Sequence, residues 1–437
     1  HVVRALVTVI IGVFWTLNFW PQTRELTLNE IWSENFNPSV LKSIKSMRDG
    51  AHFTILERNK TSQALEINLY SYATGDKISI LFDSKNFPKL EEVFDYEFSP
   101  DEQYILIKSN RVGIYRRSFY AQHHLYNVSS GAIRPIEGNN LQEVSFSPDG
   151  HLLAYIKNNN LYYQNLTTAK NIQVTQDGKV NEIINGKTDW VYEEEFGFVR
   201  GYEWSVDSRY LAFLRFDESQ VPEFSMDFYG QELYPQQNVF KYPKAGETNA
   251  EVTLKLHNLE NSQTKTIDLS AWNYEYIPRI QWSKNPNQLS VQLLNRAQDH
   301  LILLMVDATS ETSKILIEER DDAYVDIHDD LTFLIDNSFI WPSEQDGWRH
   351  LYHYDEQGVI IQQLTEGSFE VTEFYGYNPK LESLYFQSSE RGSRYRDVFS
   401  INISGDNKVR LSKKKGTNSA IFSADFSHLV QTYSSVN

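Results

Sequence analysis

The sequence predicts an all-β fold, an eight-bladed β-propeller of four-stranded antiparallel blades, and three observations carry that expectation. A motif recurs along the chain: an aromatic residue, a serine, a turn with Pro, Asp or Gly, then an alternating apolar strand. Its copies are spaced for about four short strands each. The composition supplies material to pack them: of 437 residues 41% are apolar and 14% aromatic, and Tyr, Phe and Trp suit a pleated, half-buried surface.

Clear copies are FSPDEQYILIK from Phe98, FSPDGHLLAYIK from Phe146, WSVDSRYLAFLR from Trp204 and WSKNPNQLSVQ from Trp282. Weaker ones are SMRDGAHFTIL from Ser46, YGYNPKLESLYFQ from Tyr375 and FSADFSHLVQTY from Phe422. The interval between Trp282 and Tyr375 leaves room for one more, at IHDDLTFLIDNSFIW from Ile327. Phe98 and Phe146 lie 48 residues apart, and Tyr375 and Phe422 lie 47 apart, one blade in each case. Phe146 to Trp204 spans 58 and Trp204 to Trp282 spans 78, so two blades are expected to carry insertions. On a propeller such insertions are loops on one face, where binding concentrates. In the turn Ser147-Pro148-Asp149-Gly150, Pro presets φ and Gly admits a positive φ, which reverses the chain. Leu152, Ala154 and Ile156 then alternate with Leu153 and Tyr155. The period is two and both faces are apolar, as for a strand buried between neighbouring blades. Helical signals are few: a capping box from Thr27 to Glu30, ahead of Ile31 and Trp32, and a short helical turn near Asp189.

The formal net charge of -17 argues against nucleic acid as a partner, since a phosphate backbone rewards clustered Lys and Arg. The run Lys413-Lys414-Lys415 reads as a solvated turn. The absence of cysteine excludes disulfides, cysteine–zinc sites and cysteine nucleophiles. His350 and His353, and likewise His123 and His124, point to opposite faces of predicted strands, so no metal site and no cofactor are expected. A serine-hydrolase elbow needs G-x-S-x-G, and the glycine pair Gly197 and Gly201 encloses Val199 instead. No catalytic residue is expected within these residues. At the N-terminus Arg4 precedes a mostly apolar run over residues 5–17, so residues 1–24 read as a signal peptide or membrane anchor. The globular part is then expected outside the cytoplasm, periplasmic or secreted.

One segment carries chemistry: DWVYEEEFG, residues 189–197. Glu193, Glu194 and Glu195 are consecutive, framed by Trp190, Tyr192 and Phe196. A bare glutamate triplet reads as a solvated acidic turn. Held among aromatic groups, carboxylates are partly desolvated, repel one another and seek a cation such as a substrate ammonium group.

DWVYEEE, with VPEFSMDFYG, KYPKAGETNAEV, IYRRSFYA from Ile114 and IPRIQWSKNPNQLSVQLLNR from Ile277, resembles the dipeptidyl peptidase IV family, particularly its bacterial branch, from about Glu25 onward. The resemblance implies an N-terminal propeller joined to an α/β-hydrolase carrying Ser, Asp and His. It implies release of Xaa-Pro or Xaa-Ala dipeptides from peptides with free N-termini. By position, Glu194 and Glu195 would bind the substrate ammonium and Arg116 a substrate carbonyl. Glu193, Asp189, Trp190 and Tyr192 would support them, and Arg117, on the opposite strand face, would be structural. Residues 25–40, where Thr27 to Phe36 match the family, would belong with the hydrolase. Residues 41–437 would form the propeller, with a substrate-binding insertion at 183–200. The hydrolase is expected beyond Asn437, leaving this chain inactive alone. Asp321 to Leu331 is short and acidic, so the contacts made by a longer loop in animal members are not implied. Segment 227–245 gathers Phe228, Tyr229, Leu233, Tyr234, Val239, Phe240 and Tyr242, more apolar surface than a solvent-facing loop normally shows. The resemblance makes it the arm of a homodimer; the alternative is that it folds back over its own propeller. The competing reading of the whole is a non-catalytic binding propeller or pseudo-peptidase.

Overall fold

The computed structural model describes residues 26–33, 43–90, 92–138 and 140–435; the expected leader or anchor at 1–24 lies outside them. The chain divides into two units, residues 1–43 and 44–437. In the first, the capping box forms. Glu30 N–H donates to Thr27 Oγ1 at 3.2 Å and Thr27 N–H donates to Glu30 Oε2 at 3.1 Å, which starts the one-turn helix α1 (Leu28–Ile31).

In the second unit the strands pair with their sequence neighbours. Among the described residues they make seven antiparallel blades: 44–83, 93–135, 142–173, 183–266, 276–320, 332–363 and 371–410. The expected count of eight is therefore corrected to seven. The eighth motif copy, at Phe422, builds a two-stranded sheet of Thr417–Phe422 and Leu429–Ser434, because the described residues around it hold two strands and not four. This sheet meets the first blade. The Ser46 hydroxyl donates to the Phe422 carbonyl at 3.1 Å, and the rings of Tyr72 and His428 stack at 5.7 Å.

Hydrogen bonding explains why the motif recurs. Ser99, Ser147, Ser205 and Ser423 are buried where the first strand turns into the second. Their hydroxyls donate to the Asp two residues on, at 2.6, 2.5, 2.8 and 2.8 Å. They also accept the N–H five residues on, at 2.9, 2.9, 2.9 and 3.0 Å. A hydroxyl buried without partners is costly, and here one serine satisfies itself and closes the turn. A second device, unnoticed in the sequence, caps the hairpin between third and fourth strands. Asn127, Asn165, Asn258 and Asp307 each accept the N–H three residues on, at 2.8, 2.9, 3.3 and 2.7 Å.

The core runs between blades. On the strand Leu152–Lys157, Leu153 and Tyr155 pack with Leu106 and Leu125 of the second blade. Ala154 and Ile156 pack with Tyr202, Leu211 and Phe213 of the fourth. This is the two-faced burial the alternation predicts.

Both insertions fall in one blade, the fourth, where the spacing predicts two blades. The motif marks the turn after a blade's first strand, so the long interval before Trp204 already contains the fourth blade's first strand. That strand is split into Ile183–Asn185 and Tyr202–Trp204, both paired with Tyr210–Asp217. Helix α2 (Trp190–Glu195) fills the gap. The other insertion is a hairpin, Glu223–Phe228 against Gln236–Lys241.

Candidate functional site

The excursion that carries α2 is closed at its base by backbone. Gly186 N–H donates to the Leu214 carbonyl at 2.9 Å, Gly201 N–H to the Gly186 carbonyl at 3.0 Å, and Leu214 N–H to the Gly201 carbonyl at 2.8 Å. At Gly201 a β-carbon would stand 3.3 Å from the backbone of Gly186 and Lys187, so the two ends approach as closely as they do because no side chain intervenes.

Each residue of the motif has a distinct task. Asp189 caps α2, its carboxylate accepting Tyr192 N–H at 2.9 Å, and burial pushes that carboxyl up to about 6. Trp190 packs on Tyr242, ring centroids 4.4 Å apart. Tyr192 is buried between Phe196 and Phe216, and its hydroxyl accepts Ile277 N–H of the fifth blade at 2.8 Å. Burial raises that phenol well above its ordinary range. Glu193 is 2% exposed and turns toward the second blade, where its Oε1 accepts the N–H groups of Arg117 and Ser118 at 2.6 and 2.8 Å. At the C-terminal end, Arg279 Nη2 donates to the Phe196 carbonyl at 2.8 Å.

Glu194 and Glu195 occupy the last turn of α2, which holds no basic residue. Their charges sit beside the helix carbonyl ends, an arrangement that favours a cation from outside. Glu194 is 17% exposed and its Oε2 lies 2.9 Å from Nε of Arg116, itself 72% exposed. Glu195 is exposed and has no hydrogen-bond or ion-pair partner among the described residues. The arrangement thus presents one mostly buried carboxylate shared with an exposed guanidinium, and an adjacent exposed carboxylate without a partner among the described residues.

The strand alternation expected for Arg116 and Arg117 does not apply. Both lie in the loop between Tyr104–Gly113 and Phe119–Asn127, and both reach α2. Arg116 meets the Glu194 carboxylate, while Arg117 Nη1 donates to the Glu193 carbonyl at 2.8 Å. The hairpin stem also belongs to the site. Phe240 is buried, against Tyr115 at 5.8 Å and Phe224 at 6.2 Å, and Tyr242 packs on Trp190 and Phe224. Of the aromatic group at 227–245, these two fold back onto their own propeller, while Phe228, Tyr229, Leu233 and Tyr234 at the tip are exposed. Period two separates the sets in part: Phe240 and Tyr242 share a strand face, and Phe224 stands opposite Phe240. Glu218 is buried, and burial together with the Asp189 charge pushes its carboxyl up to about 7. Among the described residues no group of His, Asp and Glu is placed to hold a metal ion.

Residues 99–437 match the family described as the dipeptidyl peptidase IV N-terminal region. Dipeptidyl peptidase 4 of Trichophyton tonsurans is 31% identical over 352 residues, covering 76% of this chain and 45% of that protein. The probable dipeptidyl-aminopeptidase B of Phaeosphaeria nodorum is 29% identical over 394 residues, covering 81% of this chain and 43% of that protein. The crystal structure of Porphyromonas gingivalis dipeptidyl peptidase 4 superposes with a TM-score of 0.87 at 36% identity, over 94% of this chain and 59% of that one. The chain therefore spans about half the length of the relatives it matches.

Proposed function

The chain belongs to the dipeptidyl peptidase IV N-terminal region family, and from that premise we propose that it is the substrate-gating propeller of a serine-type dipeptidyl peptidase. Glu194 and Glu195 bind the free ammonium group of a peptide, and Arg116 holds a carbonyl oxygen of its first residues. The observation that supports this most is the pairing of Arg116 with Glu194 beside an unpartnered Glu195. Two carboxylates that meet an ammonium group are satisfied. A longer peptide threading past them presents a neutral amide and leaves the charges unmatched, at a cost of about 3–5 kcal/mol where the site is dry. The pair then acts as a ruler that sets the second peptide bond at a serine nucleophile on an α/β-hydrolase domain of the same protein, with Asp and His completing its triad.

Three further assignments follow the same premise. Identity to the Porphyromonas protein exceeds that to the fungal ones, which favours the bacterial branch. The exposed tip of the 227–245 hairpin serves as a homodimer contact. The basic-then-apolar start of the chain directs it outside the cytoplasm.

The test uses the full-length protein and a chromogenic Gly-Pro anilide. Glu194→Gln and Glu195→Gln should each lower kcat/KM about 100-fold or more, and N-acetylation of the substrate should cost the parent enzyme as much. Near-parental kinetics in both variants would return the glutamates to the status of a solvated acidic turn.

A further inference from the structure

The loop of residues 114–118 carries Arg116 at its tip, and its own bonds tie down only its first half. Ile114 N–H donates to the Ser118 carbonyl at 2.9 Å, and Tyr115 N–H to the Ser118 hydroxyl at 3.2 Å. The N–H groups of Arg117 and Ser118 point elsewhere, and both donate to a single oxygen, Oε1 of Glu193. Ser118 and Glu193 are both buried, so neither the carboxylate nor the Ser118 N–H has water as a ready substitute. Arg117 closes the ring by donating to the carbonyl of the same glutamate. Three charge-assisted or ionic-group bonds thus join a loop of the second blade to the helix of the fourth, between residues 75 and 76 positions apart in sequence. The loop side chain left reaching over the helix is Arg116, beside Glu194.

Resting on the reading of Glu194, Glu195 and Arg116 given above, we propose that Glu193 is a positioning residue: its carboxylate clamps the 114–118 loop so that the Arg116 guanidinium stands beside Glu194 before substrate arrives. Glu193 does not meet the peptide. It acts through Arg116, and its contribution is preorganisation of a polar pair that would otherwise be ordered at the expense of binding.

A double-mutant cycle in the full-length enzyme reads this directly. Arg116→Ala should raise KM for the Gly-Pro anilide about tenfold in the parent but less than about twofold in Glu193→Leu, which already releases the loop. Glu193→Gln keeps the accepting oxygen and should leave KM within about threefold of the parent. Multiplicative effects of Arg116→Ala and Glu193→Leu would overturn the proposal. So would a Glu193→Gln variant as impaired as Glu193→Leu, since the charge and not the clamp would then matter. Should Glu193→Leu fail to fold, Arg117→Met removes only the guanidinium bond and loosens the loop in part, so KM should rise about threefold and the effect of Arg116→Ala should shrink from about tenfold to about threefold; an undiminished tenfold effect would overturn the proposal. Failure of the two readings is distinguishable. Unchanged kinetics in Glu194→Gln and Glu195→Gln removes the ammonium site itself, whereas losses there without coupling between positions 193 and 116 remove the clamp alone.

Discussion

The third blade (142–173) and the fourth (183–266) start from the same turn: Leu152 N–H meets the Ser147 hydroxyl and Tyr210 N–H meets that of Ser205, both at 2.9 Å. The third blade then runs through four strands in order, and both faces of its second strand are apolar and covered by neighbouring blades. The fourth has its first strand split by a helix and its second and third strands separated by a hairpin. Its helix is held by contacts far along the chain, Glu193 to Arg117 across 76 residues and Tyr192 to Ile277 across 85. Local turn chemistry therefore suffices for a blade, while the candidate site depends on bonds to the second and fifth blades. A propeller can host such a site because each blade's sheet is complete without the insertion.

The sharpest way to break this contrast is to remove a buried charge of the fourth blade that feels the helix-capping Asp189. Glu218 has an ordinary value of 4.5 and is raised to about 7, chiefly by burial and then by Asp189. For a raised acid the folded state holds the proton more tightly than the unfolded one. Its contribution is therefore most favourable below 4.5 and is lost as pH climbs through about 7. Asp189, raised to about 6, adds a loss of the same sign. Glu218→Gln mimics the protonated form, so it should stabilise the protein by about 3 kcal/mol at pH 8 and by little at pH 4. Denaturant titrations at the two pH values measure this, and an equal change at both would refute the buried-charge account.

The shared turn gives a middle-sized effect that should not distinguish the blades at all. Ser147→Ala and Ser205→Ala each leave a buried N–H without its acceptor and should each cost about 1–2 kcal/mol. Neither should change KM in the full-length enzyme. A clearly larger loss for Ser205→Ala would mean that the insertions strain the fourth blade's turn.

The smallest effect on stability is expected at the hairpin tip. Leu233→Glu with Tyr234→Glu should change folding stability by no more than about 0.5 kcal/mol, because both side chains are exposed. The pair should nevertheless abolish self-association of the full-length protein in sedimentation. A parent that sediments as a monomer, or a dimer that survives the charges, ends the proposal for the arm. Phe240→Glu is a test of the stem instead, and should destabilise by placing a carboxylate against Tyr115 and Phe224.

Blade strands were legible because each answers to neighbours in sequence. The turn serine and its aspartate sit two residues apart, and Leu153 and Ala154 announce by alternation that they face opposite blades. The short helical turn near Asp189 was legible for the same reason, since the bond that caps it reaches only Tyr192. Asn127 and Asn165 carry a local signal that the motif search does not use: both accept backbone N–H groups in a hairpin cap repeated in other blades. The count of blades was not legible, because a motif copy signals one turn and not the strands that must follow it. The Phe422 copy has its turn and two strands.

By itself, then, the sequence determined the all-β class, the positions of the turns and the glutamate triplet with its aromatic frame, all matters of spacing within a few residues. It could not decide which glutamate faces which way, because α2 turns successive side chains by about 100° and only the neighbouring blades distinguish the directions. Packing of α2 against the 114–118 loop of the second blade buries Glu193 on the N–H groups of Arg117 and Ser118, sets Glu194 beside Arg116 and leaves Glu195 exposed. Tertiary structure likewise divided the arm's aromatics into a stem that supports the site and a tip that faces solvent. The physical reason is the same in both cases: burial and hydrogen bonding are properties of what lies across the gap, and what lies across it is distant in sequence.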